Sequence, residues 1–198
     1  MKSNVSVLVF GAIIAFGFFS GCYNGDVTSQ ERAVGEFTGI ELAGTGDVNV
    51  HFGEEFKVIV TTDSNVQGKV VTRVERNTLC ITQRSGPFYA SELTIDVFMP
   101  EPELRAISLI GTGSFRVASG NATELDISLS GTGDINAQYF QVEKVTVTHS
   151  GVGDAKIWAT NTLHGNLSGV GDILYRGSPT VTVKKSGSGV GHVGRLRL

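Results

Sequence analysis

Apolar and polar residues alternate along most of this chain. Leu125-Asp126-Ile127-Ser128-Leu129-Ser130, Val145-Thr146-Val147-Thr148-His149-Ser150 and Val181-Thr182-Val183-Lys184-Lys185-Ser186 each put apolar side chains on every second residue. That period turns one face of a strand inward and the other outward. Each run leads into a glycine pair, and a shorter apolar stretch follows, such as Ile135-Asn136-Ala137 or Ile173-Leu174-Tyr175. Further strands are expected at Phe56 to Thr61, Val70 to Val74, Leu79 to Thr82, Leu93 to Phe98 and Ile107 to Ile110. No stretch after residue 22 carries a helical period.

The glycine pairs repeat. Gly44-Thr45-Gly46-Asp47 returns as Gly111-Thr112-Gly113-Ser114, Gly131-Thr132-Gly133-Asp134, Gly151-Val152-Gly153-Asp154 and Gly169-Val170-Gly171-Asp172. Gly187-Ser188-Gly189-Val190-Gly191 reads as a last copy that has lost the acid, with Ser114 and Val190 standing where aspartate is expected. From Gly111 onward the spacings are 20, 20, 18 and 18. A unit of that length without a helix cannot close its own core, but it can stack on copies of itself. The expected fold is therefore all-β, a parallel β-helix or β-solenoid of roughly eight 18–20-residue turns over residues 36–198. Right-handed is the favoured sense, and an antiparallel β-sandwich is the rival. Residues between Gly46 and Gly111 lack the corner and read as irregular turns or an antiparallel cap.

Composition sharpens this picture. Glycine accounts for 26 of 198 residues and proline for only four, which excludes a collagen-like chain. Thirteen of the glycines fall in the corners. The net charge of −3 comes with no basic stripe, so no nucleic-acid partner is expected.

Residues 1–21 read as an export signal, with Lys2 followed by an uncharged run from Val5 to Phe19 that is short for a membrane span. Phe19-Ser20-Gly21-Cys22 resembles a bacterial lipobox, which implies lipidation of Cys22 and a membrane anchor. Tyr23 replaces an aspartate retention signal, which points to the outer membrane. Residues 22–35 read as the lipidated cysteine and a flexible tether. Cys80, within Thr78 to Thr82, reads as a buried structural thiol.

The corners, with Phe37-Thr38-Gly39-Ile40 and Gly171-Asp172-Ile173-Leu174-Tyr175-Arg176-Gly177-Ser178-Pro179, resemble the putative auto-transporter adhesin head GIN domain family. The resemblance implies a right-handed β-helical fold and no established enzymatic activity.

Candidate chemistry is sparse. Asp134, Asp154 and Asp172 fall at equivalent places, where they either collect a cation such as calcium or accept hydrogen bonds from their own turns. His51, His149, His164 and His192 show no metal-ligand spacing and read as solvated. No catalytic cluster, metal site or cofactor is expected. Trp158, Tyr139, Phe140 and Tyr175 are weighed as a sugar platform or as packing. The expected function is a non-enzymatic, lipid-anchored envelope protein with a structural, adhesive or ligand-binding role and an unknown protein or glycan partner. Its alternatives are a protein-binding signalling or stress component, or a polysaccharide-active enzyme.

Overall fold

The computed structural model describes residues 25–101, 103–187 and 189–196. They form fifteen strands: β1 (Val27–Ala33), β2 (Gly39–Leu42), β3 (Thr45–Phe52), β4 (Lys57–Asp63), β5 (Val70–Glu75), β6 (Thr78–Gln83), β7 (Leu93–Met99), β8 (Ala106–Leu109), β9 (Thr112–Val117), β10 (Gly120–Leu129), β11 (Ile135–His149), β12 (Ala155–Leu167), β13 (Ile173–Arg176), β14 (Thr180–Lys185) and β15 (Val193–Arg195). The expected strands between residues 56 and 110 are all present. A 3-10 turn, Gln67–Lys69, stands between β4 and β5.

All strands join one sheet, in the order β1-β4-β7-β3-β9-β11-β10-β8-β2-β6-β5, while β12 pairs with β11 and carries β13 and β14. Long β11 is bonded to β9 through Ile135 and Asn136 and to β10 through residues 140–149, so the sheet folds over on itself. The two walls wrap a single apolar core in a nearly closed, barrel-like form.

This corrects the parallel β-solenoid of eight uniform turns. The sheet is mixed: β4 runs antiparallel to both β1 and β7, and β5 runs antiparallel to β6. The physical reason lies in the stretch without corners. With no glycine pair to redirect the chain into another parallel pass, residues 54–92 reverse instead. Arg76 (φ 49°) and Asn77 (φ 62°) make the tight turn between β5 and β6, the left-handed pair that a two-residue hairpin requires. β7 returns between β3 and β4, parallel to one and antiparallel to the other. Residues 27–33, expected inside a flexible tether, form β1, an exposed edge strand on β4.

The inner face is built from columns in register. Leu79, Ile40, Ile107, Ile127 and Val147 make one. Ile95, Val48, Phe115, Ile135, Ala155 and Ile173 make the facing one. These side chains are nearly inaccessible, and a buried aliphatic side chain of this size contributes roughly 1.5–3 kcal/mol.

Candidate functional site

The glycine corners stack in parallel register, with Thr112, Thr132, Val152, Val170 and Val190 bridging in sequence. Backbone bonds cross every corner: Thr132 N–H donates to the Gly111 carbonyl (2.9 Å), and Gly133 N–H to the Val152 carbonyl (2.8 Å). Gly133 has φ +131°, and a Cβ there would overlap the carbonyl oxygen of Gly113 in the neighbouring corner. Glycine is therefore needed twice over, for its backbone angle and for the close approach of one corner to the next.

Register also corrects the last repeat. Val190 bridges Val170, so it occupies the middle of the corner and His192 the aspartate position. Gly189 and Gly191 are the corner pair, and Gly187 falls outside it.

The aspartates form a ladder between corners and not bonds within their own turns. Asp154 N–H donates to Asp134 Oδ1 (2.8 Å), Asp172 N–H to Asp154 Oδ1 (2.9 Å), and His192 N–H to Asp172 Oδ1 (2.7 Å). Asp47 does the same for Ser114, accepting from its N–H (3.0 Å) and its hydroxyl (2.8 Å). Each carboxylate thus satisfies a main-chain donor that faces outward at the next corner. Among the described residues, no group of three or more His, Cys, Asp or Glu comes close enough to hold a metal ion.

The histidines divide. His149 is not solvated: it is fully buried, in register with Leu129 and Leu167 on the inner face. Its Nε2 bonds the Gly153 carbonyl (2.5 Å), while Nδ1 has no partner. His51 lies half-exposed, stacked on Phe98 and bonded to Asp96 (2.9 Å). His164 and His192 face solvent. Cys80 is half-buried, in contrast to the expected buried thiol. Burial pushes its thiol up from the ordinary value, the Glu41 and Glu75 carboxylates add to this, and Arg73 opposes them. Cys22 lies outside the described residues.

The aromatic residues come apart into core and surface at one irregularity. The pairing of β11 with β12 jumps between Ala137 and Gln141, a bulge that breaks the strict alternation and re-aims side chains. Phe140 turns inward, fully buried and stacked on Phe52 with centroids 5.0 Å apart. Tyr139 turns outward and is 56% exposed. Trp158 and Arg176 pair across β12 and β13. The Arg176 guanidinium lies 4.8 Å from the Trp158 ring centre and 5.5 Å from that of Tyr139, and its Nη1 donates to the Gln138 carbonyl (3.1 Å). A depression of about 290 Å³ opens beside it, lined by Trp158, Tyr175, Arg176, Gly177, Arg195 and Leu196. The sequence brought three of the four aromatics to the right neighbourhood. It missed Arg176, because the cross-strand register that joins it to Trp158 depends on the spacing of two corners.

A second depression of about 510 Å³ lies between the corner stack at Thr45 and Thr112 and the loop at Phe88 to Glu92. Thr45 and Gln83 both line it, and Thr45 N–H donates to Gln83 Oε1 (2.8 Å).

The family model described as "putative auto-transporter adhesin, head GIN domain" matches residues 36–118 and again residues 105–179. Among solved structures, a putative adhesin from Bacteroides fragilis is 21% identical, with 86% of this chain and 97% of that chain covered and a TM-score of 0.58. A putative lipid binding protein from Parabacteroides distasonis is 20% identical, covering 88% of this chain and 98% of that one, with a TM-score of 0.41. A putative adhesin from Parabacteroides merdae is 16% identical over 88% and 98%, with a TM-score of 0.39. The first of these likenesses is one of fold. No curated protein matches the chain.

Proposed function

From the premise that this chain belongs to the putative auto-transporter adhesin, head GIN domain family, we propose that it is an exported, non-enzymatic binding protein of the cell envelope. Its ligand meets the surface made by Tyr139, Trp158 and Arg176. The observation that carries this reading is the bulge in β11, which puts Tyr139 in solvent beside a ring-stacked guanidinium while Phe140 fills the core. An exposed tyrosine, a tryptophan and an arginine on one sheet face supply apolar area and directed donors with little ordering cost.

We also propose that lipid on Cys22 anchors the chain, in the outer membrane. The four residues between Cys22 and β1 span at most ~15 Å, so an anchor there would hold the β1 edge close to the bilayer. Eight strand spacings of ~4.8 Å separate β1 from β15 along this wall, roughly 40 Å. The aromatic–arginine surface would then face away from the membrane. Incorporation of a palmitate analogue that disappears in Cys22→Ala supports the anchor, and labelling that survives the substitution defeats it.

The binding reading is tested on a glycan array with the chain and its Trp158→Ala variant. Signal on at least one glycan, lost in the variant, is the expected outcome; a blank array for the unaltered chain rejects a glycan ligand. A protein partner is the second reading. It is favoured by the exposed apolar ridge of Val152 (51%), Val170 (50%) and Val190 (66%) along the corners, and cross-linking from envelopes lost in Val170→Asp would support it.

A further inference from the structure

We infer that the ligand of the Tyr139–Trp158–Arg176 surface is an acidic saccharide, one bearing carboxylate or sulfate groups. The inference rests on the binding reading above and names the chemistry of its ligand.

Three observations converge. The Arg176 guanidinium lies over the Trp158 and Tyr139 rings, with one of its nitrogens donating to the Gln138 carbonyl. Among the described residues, Nε and Nη2 of Arg176 have no hydrogen-bond partner, which leaves one planar edge of the guanidinium open. That edge matches a carboxylate or sulfate bidentately. Among the described residues, no carboxylate lies within ion-pair distance of Arg176 or Arg195, although four such pairs form elsewhere: His51–Asp96, Arg73–Glu75, Arg116–Asp47 and Lys144–Glu124. The second observation is charge distribution. Residues 173–198 contain Arg176, Lys184, Lys185, Arg195 and Arg197 and not one Asp or Glu, in a chain whose net charge is −3. Of these, Arg176, Lys184, Lys185 and Arg195 stand on β13, β14 and β15. Such a gathering attracts anions from a distance and orients their approach.

The third observation separates a saccharide from a bare anion. The depression beside Arg176 is lined by Trp158, Tyr175 and Leu196 as well as by Arg195. At about 290 Å³ it stands at the small end of ligand pockets. Apolar ring faces next to an anion clamp suit a sugar ring, which offers C–H patches on its face and a charged group at its rim. Arg195 Nη2 donates to Ser178 Oγ (3.2 Å), which steadies a second cation across the depression.

Trp158 is the sole tryptophan of the chain, so its fluorescence reports this surface alone. The chain is titrated with trigalacturonate, a heparin-derived tetrasaccharide, maltotriose, and vesicles of phosphatidylglycerol and phosphatidylcholine. A saturable change with at least one acidic oligosaccharide is expected, weakened by salt and at least tenfold tighter than with maltotriose. Arg176→Gln is expected to weaken that binding at least tenfold. Arg195→Gln, at an exposed position on the far side of the depression, gives a smaller loss and serves should Arg176→Gln fail to fold. Response to trigalacturonate alone assigns a carboxylate ligand, and response to the heparin fragment alone a sulfate ester. Equal affinity for maltotriose overturns the acidic class while leaving the binding reading intact. Response to vesicles alone, or to no probe, overturns the inference; a glycan array that is also blank rejects a glycan ligand altogether and leaves the protein-partner reading.

Discussion

Gly133, Gly153 and Gly171 do at the residue scale what no other residue could. Each combines φ near +131° with a neighbouring carbonyl where a Cβ would have to sit. Gly133→Ala is expected to cost at least ~3 kcal/mol, from backbone strain and overpacking together. Gly53→Ala, at a position with open space around it, is expected within about 0.5 kcal/mol of the unaltered chain. Urea unfolding of both variants checks the contrast. The aspartate ladder makes a second residue-level prediction. Asp154→Ala removes the acceptor for Asp172 N–H and is expected to cost about 1 kcal/mol, whereas Asp154→Asn keeps an acceptor oxygen and costs less. If the carboxylates serve the main chain and not an ion, calcium leaves the melting temperature within about 1 °C, since a ligand that does not bind cannot stabilise. Cys80 supplies a pH test. Its thiol holds its proton to higher pH when folded than when unfolded. The stability this contributes is present below the ordinary thiol value and lost as pH rises beyond it. Alkylation by iodoacetamide at pH 8 should accordingly be slower in the folded chain than in urea; equal rates would contradict the burial argument.

At the element scale, alternation was readable and direction was not. The runs at Leu93 to Phe98 and at Ile107 to Ile110 announce strands by their period, yet nothing in period two says whether a neighbour runs parallel or antiparallel. The corners do carry direction, because each repeats the same backbone path and so brings the chain round the same way. Where they are absent, between residues 54 and 92, the chain reverses at Arg76-Asn77. Asn77 adopts φ 62° without strain because its short polar side chain tolerates that region. Asn77→Val is expected to lower stability by roughly 1–2 kcal/mol and Asn77→Gly to leave it nearly unchanged, measured by thermal melts. The bulge in β11 was equally hidden. Gln138-Tyr139-Phe140 looks like ordinary alternation until β12 is laid beside it, and only the missing partners there show that the strand has room to turn Tyr139 outward. His149 escaped for a related reason. It occupies an inward slot of an alternating strand, in line with leucines, but a histidine read alone suggests solvent.

The whole molecule joins a cooperative core to an asymmetric surface. The corner repeat suggested a uniform column, and the mixed sheet replaces it with two kinds of strand pairing around one core. Parallel passes stacked on glycine corners form the later part, and antiparallel strands close the earlier part. The asymmetry of charge is seen in the acid-free stretch from Ile173 onward, whose strands β13, β14 and β15 follow β12 in the sheet. It is there that the aromatic–arginine surface lies, and the central claim is that this surface is where the protein binds. Heteronuclear NMR of the labelled chain, titrated with trigalacturonate and with the heparin-derived tetrasaccharide, tests that claim most directly. The account predicts shifts concentrated at Gln138 to Phe140, Trp158, Arg176 and Gly177. Shifts gathered instead on the opposite wall, at Asp126, Thr146, His164 and Thr182, or absent altogether, would contradict it.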